Sequence, residues 1–553
     1  MHADVDAGGR DAEPQDAARG RDAGPPDAAA GRDAGPPGTD GGRGADEDDS
    51  GVGASGKPTS EDPPSEHCRP TAGGPYSVLE QDTLTVELKC ATGLAMPEAL
   101  SIDDLPSGAA YDKPTGTLSW TPGLDQAAVY ELTLRASPWN ETGKLTIAVT
   151  DRYGAAGNVP PTNAAMYSEE FGLPVIHLTT DPAITDEGYT PAQVTYRGHT
   201  FVGAEAKYRG VFSSDFPKRS YTLKFTKTDK FGDPSAAGGF SDKRKIVLST
   251  PFDDNSYLRQ RLSFELWNVL GPTQIKVQSY SAVLYLNGAY YGLYTVTDHV
   301  DRYLMEDHGL DQDGNLYKAR SADANFREAG IDHPVKSDIH LGFTKEEGTP
   351  EEGEPDAYDD LDEFLSWANT VSAAAFTREF EARAQRSDYE NWWILVSFIS
   401  ADDSTGKNSY HYHDPNRTGS LWRCVPWDFN ESWGQDYATR RVSAQSKPDG
   451  WPFESNGIFQ RLNEDPTFGP ALRARYHELL TTRYNPRTIL PRIAELEAAI
   501  RDSAHRDEQK WRSAYRSFTA WQSRTDFTTF DEEVQYLRQW ISDRHAYLSA
   551  RYQ

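Results

Sequence analysis

The stretch Ala401–Gly434, ADDSTGKNSYHYHDPNRTGSLWRCVPWDFNESWG, decides how the rest of this chain is read. It holds an acid and an amide five positions apart, Asp403 and Asn408, and a second isolated acid, Asp428, inside Pro-Trp-Asp-Phe. Phosphoryl transfer asks little covalent chemistry of a protein. It asks for divalent metal on the phosphates and a carboxylate beside the incoming nucleophile. Asp403, Asn408 and Asp428 supply an all-oxygen donor set in the order and spacing that this chemistry uses. An acid-x4-Asn pattern also arises by chance, so the surrounding residues carry the argument. Asp402 competes with Asp403 for the role of base, and only spacing separates them.

Moving outward, 553 residues leave room for two or three domains and a large core. A formal charge of -29 speaks against general binding of nucleic acid or of anionic membranes. Aromatic content of 11%, with 13 Trp and 28 Tyr, points to a well-packed interior. Three cysteines are too few for a disulfide framework. Cys68 and Cys90 open one β-rich region and are able to pair, whereas Cys424 reads as a small packing residue. No apolar window is long enough to span a membrane.

Residues 1–66 are low in complexity: Gly-Arg-Asp-Ala recurs at positions 9, 20 and 31 among Pro-rich spacers. Such a composition buries too little apolar surface to offset chain entropy, so a disordered linker is expected. From residue 67 to 152 the runs Thr83-Leu-Thr-Val-Glu-Leu-Lys, Tyr130-Glu-Leu-Thr-Leu and Lys144-Leu-Thr-Ile-Ala-Val alternate with period two, which predicts strands. From residue 153 to 553 the class is α+β: strands first, then helices, with a closing helical region from about 457. Asp254–Gly271 reads as a capped helix with Leu258, Leu262, Leu266 and Val269 on its buried face. Asn287-Gly288 between two apolar runs predicts a hairpin.

Three resemblances follow. Leu105-Pro-Ser-Gly, Gly116-Thr-Leu-Ser-Trp-Thr-Pro and Tyr130-Glu-Leu-Thr-Leu resemble bacterial Ig- or cadherin-like modules, which implies a small β-sandwich with a spacer or docking role. The tail resembles the stalk of a bacterial lipoprotein whose signal peptide is missing, which implies a secreted, periplasmic or lipid-anchored surface protein. From about Pro174 onward, ordered blocks resemble the CotH (spore coat protein H) family of atypical protein kinases. The blocks are Lys207-Tyr-Arg-Gly-Val-Phe-Ser-Ser with Pro217-Lys-Arg-Ser-Tyr, Leu248-Ser-Thr-Pro-Phe-Asp-Asp-Asn, Leu286-Asn-Gly-Ala-Tyr-Tyr-Gly-Leu-Tyr, Gly314-Asn-Leu-Tyr-Lys and Val425-Pro-Trp-Asp-Phe-Asn-Glu-Ser-Trp-Gly.

The resemblance to the CotH family implies a bilobal, protein-kinase-like fold with a strand-rich N-lobe and a helical C-lobe, using ATP with Mg²⁺ or Mn²⁺ to phosphorylate Ser or Thr of a protein acceptor. Asp403 then becomes the catalytic acid, and Asn408 and Asp428 the metal ligands. For the phosphates, Lys218 is the first candidate, Lys318 the second, and Arg209 a third cation. Asp298 stands where the family carries Glu, and a contact there needs a closer backbone; Glu265 is an alternative lysine partner. Two other readings stay open: a kinase-fold enzyme that adenylylates or glutamylates a protein, and a pseudokinase or surface binding module. His411 and His413 share a strand face and suit zinc, but no third ligand accompanies them, so packing is the preferred reading.

Overall fold

The computed structural model describes residues 67–91, 100–123, 126, 128–150, 167–233, 240–446 and 455–553. The low-complexity tract at 1–66, with its expected disorder and stalk role, lies outside these residues.

Residues 67–150 form short strands in two main sheets. A four-stranded sheet runs Tyr76–Leu79, Glu141–Thr150, Ala128–Ala136, Leu100–Asp103, and a three-stranded sheet runs Leu84–Glu87, Thr117–Trp120, Ala110–Asp112. Period-two alternation turns Val86, Leu118 and Trp120 of one sheet and Leu132, Leu134, Leu145 and Ile147 of the other into one shared apolar core. Cys68 and Cys90 are joined by a disulfide that ties the Pro70–Thr71 strand to Lys89–Cys90.

The next strands make a sheet that closes on itself. Its order is Leu173–Thr179, Thr190–Tyr196, His199–Arg209, Ser220–Lys224, Lys245–Ser249, Ala289–Asp298, Ser279–Leu286, with Glu169–Glu170 added at one edge. The first and last of these also pair, parallel, from Val175 opposite Val283 to Leu178 opposite Leu286. Closure removes the exposed edge that an open sheet presents. Alternation then divides each strand. Ile246, Leu248, Tyr221, Leu223, Tyr294 and Val296 fill the barrel, whereas Val247, Val283 and Leu293 face outward into the main core shared with the helices. The hairpin at Asn287-Gly288 forms as expected, both residues having positive φ (50° and 81°).

The helix read from Asp254 to Gly271 is shorter, Arg259–Asn268. Asp254 serves its start, Oδ1 accepting from Ser256 N (2.9 Å) and Oδ2 from Arg259 N (2.9 Å). Val269 lies beyond the last helical turn and is 45% exposed, so it leaves the predicted buried face, which Leu258, Leu262 and Leu266 keep. Arg386–Ile399 is apolar over its second half, Trp392–Ile399, apart from Ser397, and every residue from Asp388 to Ile399 is buried. A second, antiparallel sheet of order Phe343–Glu347, Asn315–Ala319, Ser409–His413, Arg423–Pro426 packs against it, and the long helices Pro486–Ser517 and Phe530–Arg551 follow.

Candidate active site

The site forms where strands of the second sheet stop. Ser409 pairs with Pro426, so Asn408, just before one strand, faces Trp427 and Asp428, just after its neighbour. Trp427 N donates to Asn408 O (2.7 Å), and Asn408 N donates to Ala319 O (2.8 Å), which draws in the end of the Lys318 strand. Asn408 and Asp428 both sit in the left-handed region (φ 59° and 64°), which Asn and Asp enter more readily than other side chains. Ser404 fixes the turn: its buried hydroxyl is 3.0 Å from Trp427 O and 2.6 Å from Asp428 O.

Asp403 is held at both oxygens. Asn408 Nδ2 donates to Oδ2 (2.6 Å), and Lys407 Nζ lies 2.6 Å from Oδ1. The carboxylate of Asp428 accepts no hydrogen bond from any described residue. Burial, with the charge of Asp403, pushes its pKa up to about 6, against the pull of Arg209, Lys318 and Lys407. Glu431, three residues on, likewise accepts no hydrogen bond from any described residue; burial, with Asp403 and Asp428, pushes it up to about 9. Burial likewise pushes Asp253 up to about 7, against the hydrogen bond it accepts from Asn430 Nδ2. Arg209 lies over the Trp427 ring (5.4 Å) and Lys318 over that of Tyr410 (5.6 Å).

Whether this set suits a divalent cation follows from its donors. Among the described residues, no three Asp, Glu, His or Cys side chains converge as a metal cage. Mg²⁺ does not require one, since it usually keeps water and binds through one or two carboxylates together with substrate phosphates. Asp428 and Asn408 offer hard oxygen, and mutually repelling acids without donors make a place where a cation lowers the energy. The residues fit the ion.

The structure thus brings Asp403, Asn408, Asp428, Arg209 and Lys318 together, and it places Lys218 and Asp298 elsewhere. Lys218 has 0% exposure; its ammonium donates to Leu293 O (2.7 Å) and to Asp507 Oδ1 (2.6 Å). Asp507 further accepts from Leu293 N (2.6 Å) and the Tyr257 hydroxyl (3.0 Å). The glycine of Tyr-Tyr-Gly-Leu-Tyr exists for this pair: a Cβ on Gly292 (φ +149°) collides with Asp507 Oδ1 and comes within 2.8 Å of Lys218 Cε. Lys218 is thus buried and bonded within the fold. Asp298 is buried at the end of its strand, where it pairs with Lys243 (3.0 Å) and accepts from Gln278 N (2.7 Å). Its shorter side chain is bonded to a backbone amide and a lysine.

Glu265 is taken by Arg492 (2.7 and 2.9 Å). His411 is enclosed by Phe326, Tyr389 and Trp392, and burial drives its pKa down to about 3; His413 stacks on Trp422 and bonds Asp360 (2.8 Å). Both histidines pack. Sequence reasoning passed over Lys407, Glu431 and Asp253, although each stands in a quoted block. It also passed over Arg259, which is fully buried and binds Asp254 Oδ1 (2.5 Å), Glu533 Oε1 (2.5 Å) and Ser432 O (3.0 Å), locking the loop after Asp428 to two helices.

The sequence profile that matches this chain defines its class as a kinase family. The chain belongs to the CotH family, described as CotH kinase protein, whose sequence profile matches residues 206–548. It is similar to the inner spore coat protein H of Bacillus subtilis (strain 168), with 26% identity over 343 residues that cover 62% of this chain and 85% of that protein. Among the described residues, no helix is long and apolar enough to cross a membrane.

Proposed function

We propose that this chain is a kinase-fold transferase that uses ATP and Mg²⁺ or Mn²⁺ to phosphorylate Ser or Thr of a protein. The observation that carries this reading is the convergence of Asp403, Asn408 and Asp428 at adjoining strand ends, with Arg209 and Lys318 bringing positive charge to the same gap. Asp403 is the acid that orients the acceptor hydroxyl and draws its proton, and Lys407 and Asn408 hold its carboxylate in one rotamer. Asp428 and Asn408 would hold the metal, which when bound neutralises phosphate charge. Arg209 and Lys318 bind phosphate oxygens as transfer proceeds.

On this reading the barrel and the helical remainder act as the two lobes, and residues 67–152 form an Ig-like sandwich that spaces or docks the enzyme. The disulfide between Cys68 and Cys90 supports a secreted or surface location, because such bonds persist in oxidising compartments.

Incubation of the wild type and of Asp428→Ala with ATP labelled at the γ or the α position, under each metal, tests the reading. Transfer of γ-label by the wild type alone supports it. Transfer of α-label replaces it with adenylylation, and nucleotide-dependent incorporation of labelled glutamate replaces it with glutamylation. An absence of both transfer and nucleotide binding leaves a surface binding module.

A further inference from the structure

The helix Arg259–Asn268 has the candidate active site at one end and a cleft at the other. At its start, Arg259 holds Ser432 O in the loop after Asp428. Past its end, a cleft of about 320 Å³ opens between residues 270–272 and two further helices, Arg386–Ile399 and Phe468–Thr482. The 10 residues of the first helix, at about 1.5 Å rise each, set the two places roughly 15 Å apart. The cleft is a separate feature of the fold.

Its walls are fixed by hydrogen bonds. Arg475 donates from Nη2 to Leu270 O (2.6 Å) and from Nε to Asn391 Oδ1 (3.1 Å). Asn391 in turn donates to Gln274 Oε1 (2.8 Å), and Arg423, paired with Asp388 (2.6 Å), donates to Thr273 O. Gly271 keeps the wall thin, since a Cβ there would stand 3.1 Å from Gln274 Oε1.

Donors outnumber acceptors in this cleft. Arg386 donates from Nε to Glu381 Oε1 (2.7 Å) and from Nη1 to Glu390 Oε1 (2.7 Å), and its Nη2 has no acceptor among the described residues. Nη1 of Arg475 is open in the same sense. Gln274, beside Asn391, is 1% exposed, and its Nε2 also has no acceptor among the described residues. Folded proteins leave few buried donors unmatched. Arg386 and Ser387 open their helix without a side-chain cap, which adds the positive end of that helix. Two guanidinium groups thus face one lining carboxylate, Glu390, while Leu270, Pro272 and Ala471 supply an apolar wall.

We propose that this cleft is a second ligand site, and that it binds a small organic phosphate monoester. Arg386 and Arg475 supply charge-assisted hydrogen bonds to the phosphate oxygens, and the uncapped helix start adds to them. The volume exceeds what a bare ion fills and reaches the lower range of small-molecule sites. The apolar wall takes the organic part. This site stands whether or not the chain transfers phosphate.

Calorimetry on the full chain tests this with O-phosphoserine, serine and inorganic phosphate, without nucleotide. O-phosphoserine is expected to bind and serine not to bind. Inorganic phosphate is expected to bind more weakly, because it leaves the apolar wall unused. Ala471 lines the cleft at an exposed position, so its replacement changes the charge there and breaks no buried contact. Ala471→Glu is expected to weaken O-phosphoserine about tenfold or more, through like-charge repulsion, with the melting temperature unchanged. Ala471→Lys is expected to tighten it. A wild type that does not bind O-phosphoserine overturns the site, and so does wild-type affinity in both variants, which places the ligand elsewhere. Inorganic phosphate bound as tightly as O-phosphoserine overturns the monoester, since the organic part would then contribute nothing.

Discussion

Lys218–Asp507 and the Asp428 cluster are both groups of charge taken out of water, and they are built in opposite ways. At Lys218 the opposite charges are paired and further bonded: lysine to carboxylate and carbonyl, carboxylate to an amide and a tyrosine. At Asp428 a carboxylate without a donor sits near Asp403 and Glu431, and the Arg209 and Lys318 side chains are held by aromatic faces and not by acids. Buried charges survive when paired and cost several kcal/mol when they are not. The closed network holds its charges by pairing them, and the open one carries a cost in stability that proton uptake or a bound cation would relieve.

The sharpest way to break this contrast is Asp428→Asn. Removing one like charge relieves repulsion, so the melting temperature is expected to hold or rise, while γ-phosphate transfer falls about a thousandfold or more, some 4 kcal/mol of barrier. A fall in stability with activity retained would reverse the assignment of roles. Asp507→Ala inverts the pattern. It strands the Lys218 ammonium in the core, for which about 3–5 kcal/mol is expected in urea unfolding. Double replacement, Lys218→Met with Asp507→Leu, is expected to recover much of that loss. Gly292→Ala probes the same network through the backbone, since the new methyl group must displace the carboxylate and occupies a φ that suits glycine. About 1–3 kcal/mol is expected, with nucleotide affinity unchanged.

The same contrast explains what could be read from the chain. Asp403, Asn408 and Asp428 fall within one quoted stretch because adjoining strands of one sheet present them at the same end, so their proximity in sequence survives into space. The pairing of Lys218 was not legible because its partner lies 289 residues away, and no local pattern tells a paired lysine from a free one. The Asn287-Gly288 hairpin was legible from two residues, since only its turn chemistry matters. Barrel closure was not legible: Leu173–Thr179 and Ser279–Leu286 meet across more than a hundred intervening residues. Val269 fell off its predicted helix face because the helix stops one residue earlier, and periodicity carries no information about where hydrogen bonding ends.

His411 marks a third way of keeping a titratable group, neither paired with a counter-charge nor left open, but sealed in an aromatic shell as a neutral ring. Its folded pKa, about 3, lies below the unfolded value of 6.5. The unfolded chain therefore takes up a proton that the native chain refuses, and stability is full above pH 6.5 and declines as the pH falls toward 3. At pH 5 the loss from this residue alone is expected to be about 2 kcal/mol relative to pH 7. His411→Phe keeps the ring packing and removes the proton site, although it leaves the Ser409 hydroxyl without its 2.9 Å partner. Urea unfolding of the wild type and of His411→Phe at pH 7, 6 and 5 is expected to give a steeper decline in the wild type, with the difference between the two curves growing as the pH falls. Parallel curves would mean that the imidazole reaches water in the native state. The closed regions of this protein would then be less closed than the Lys218 network implies.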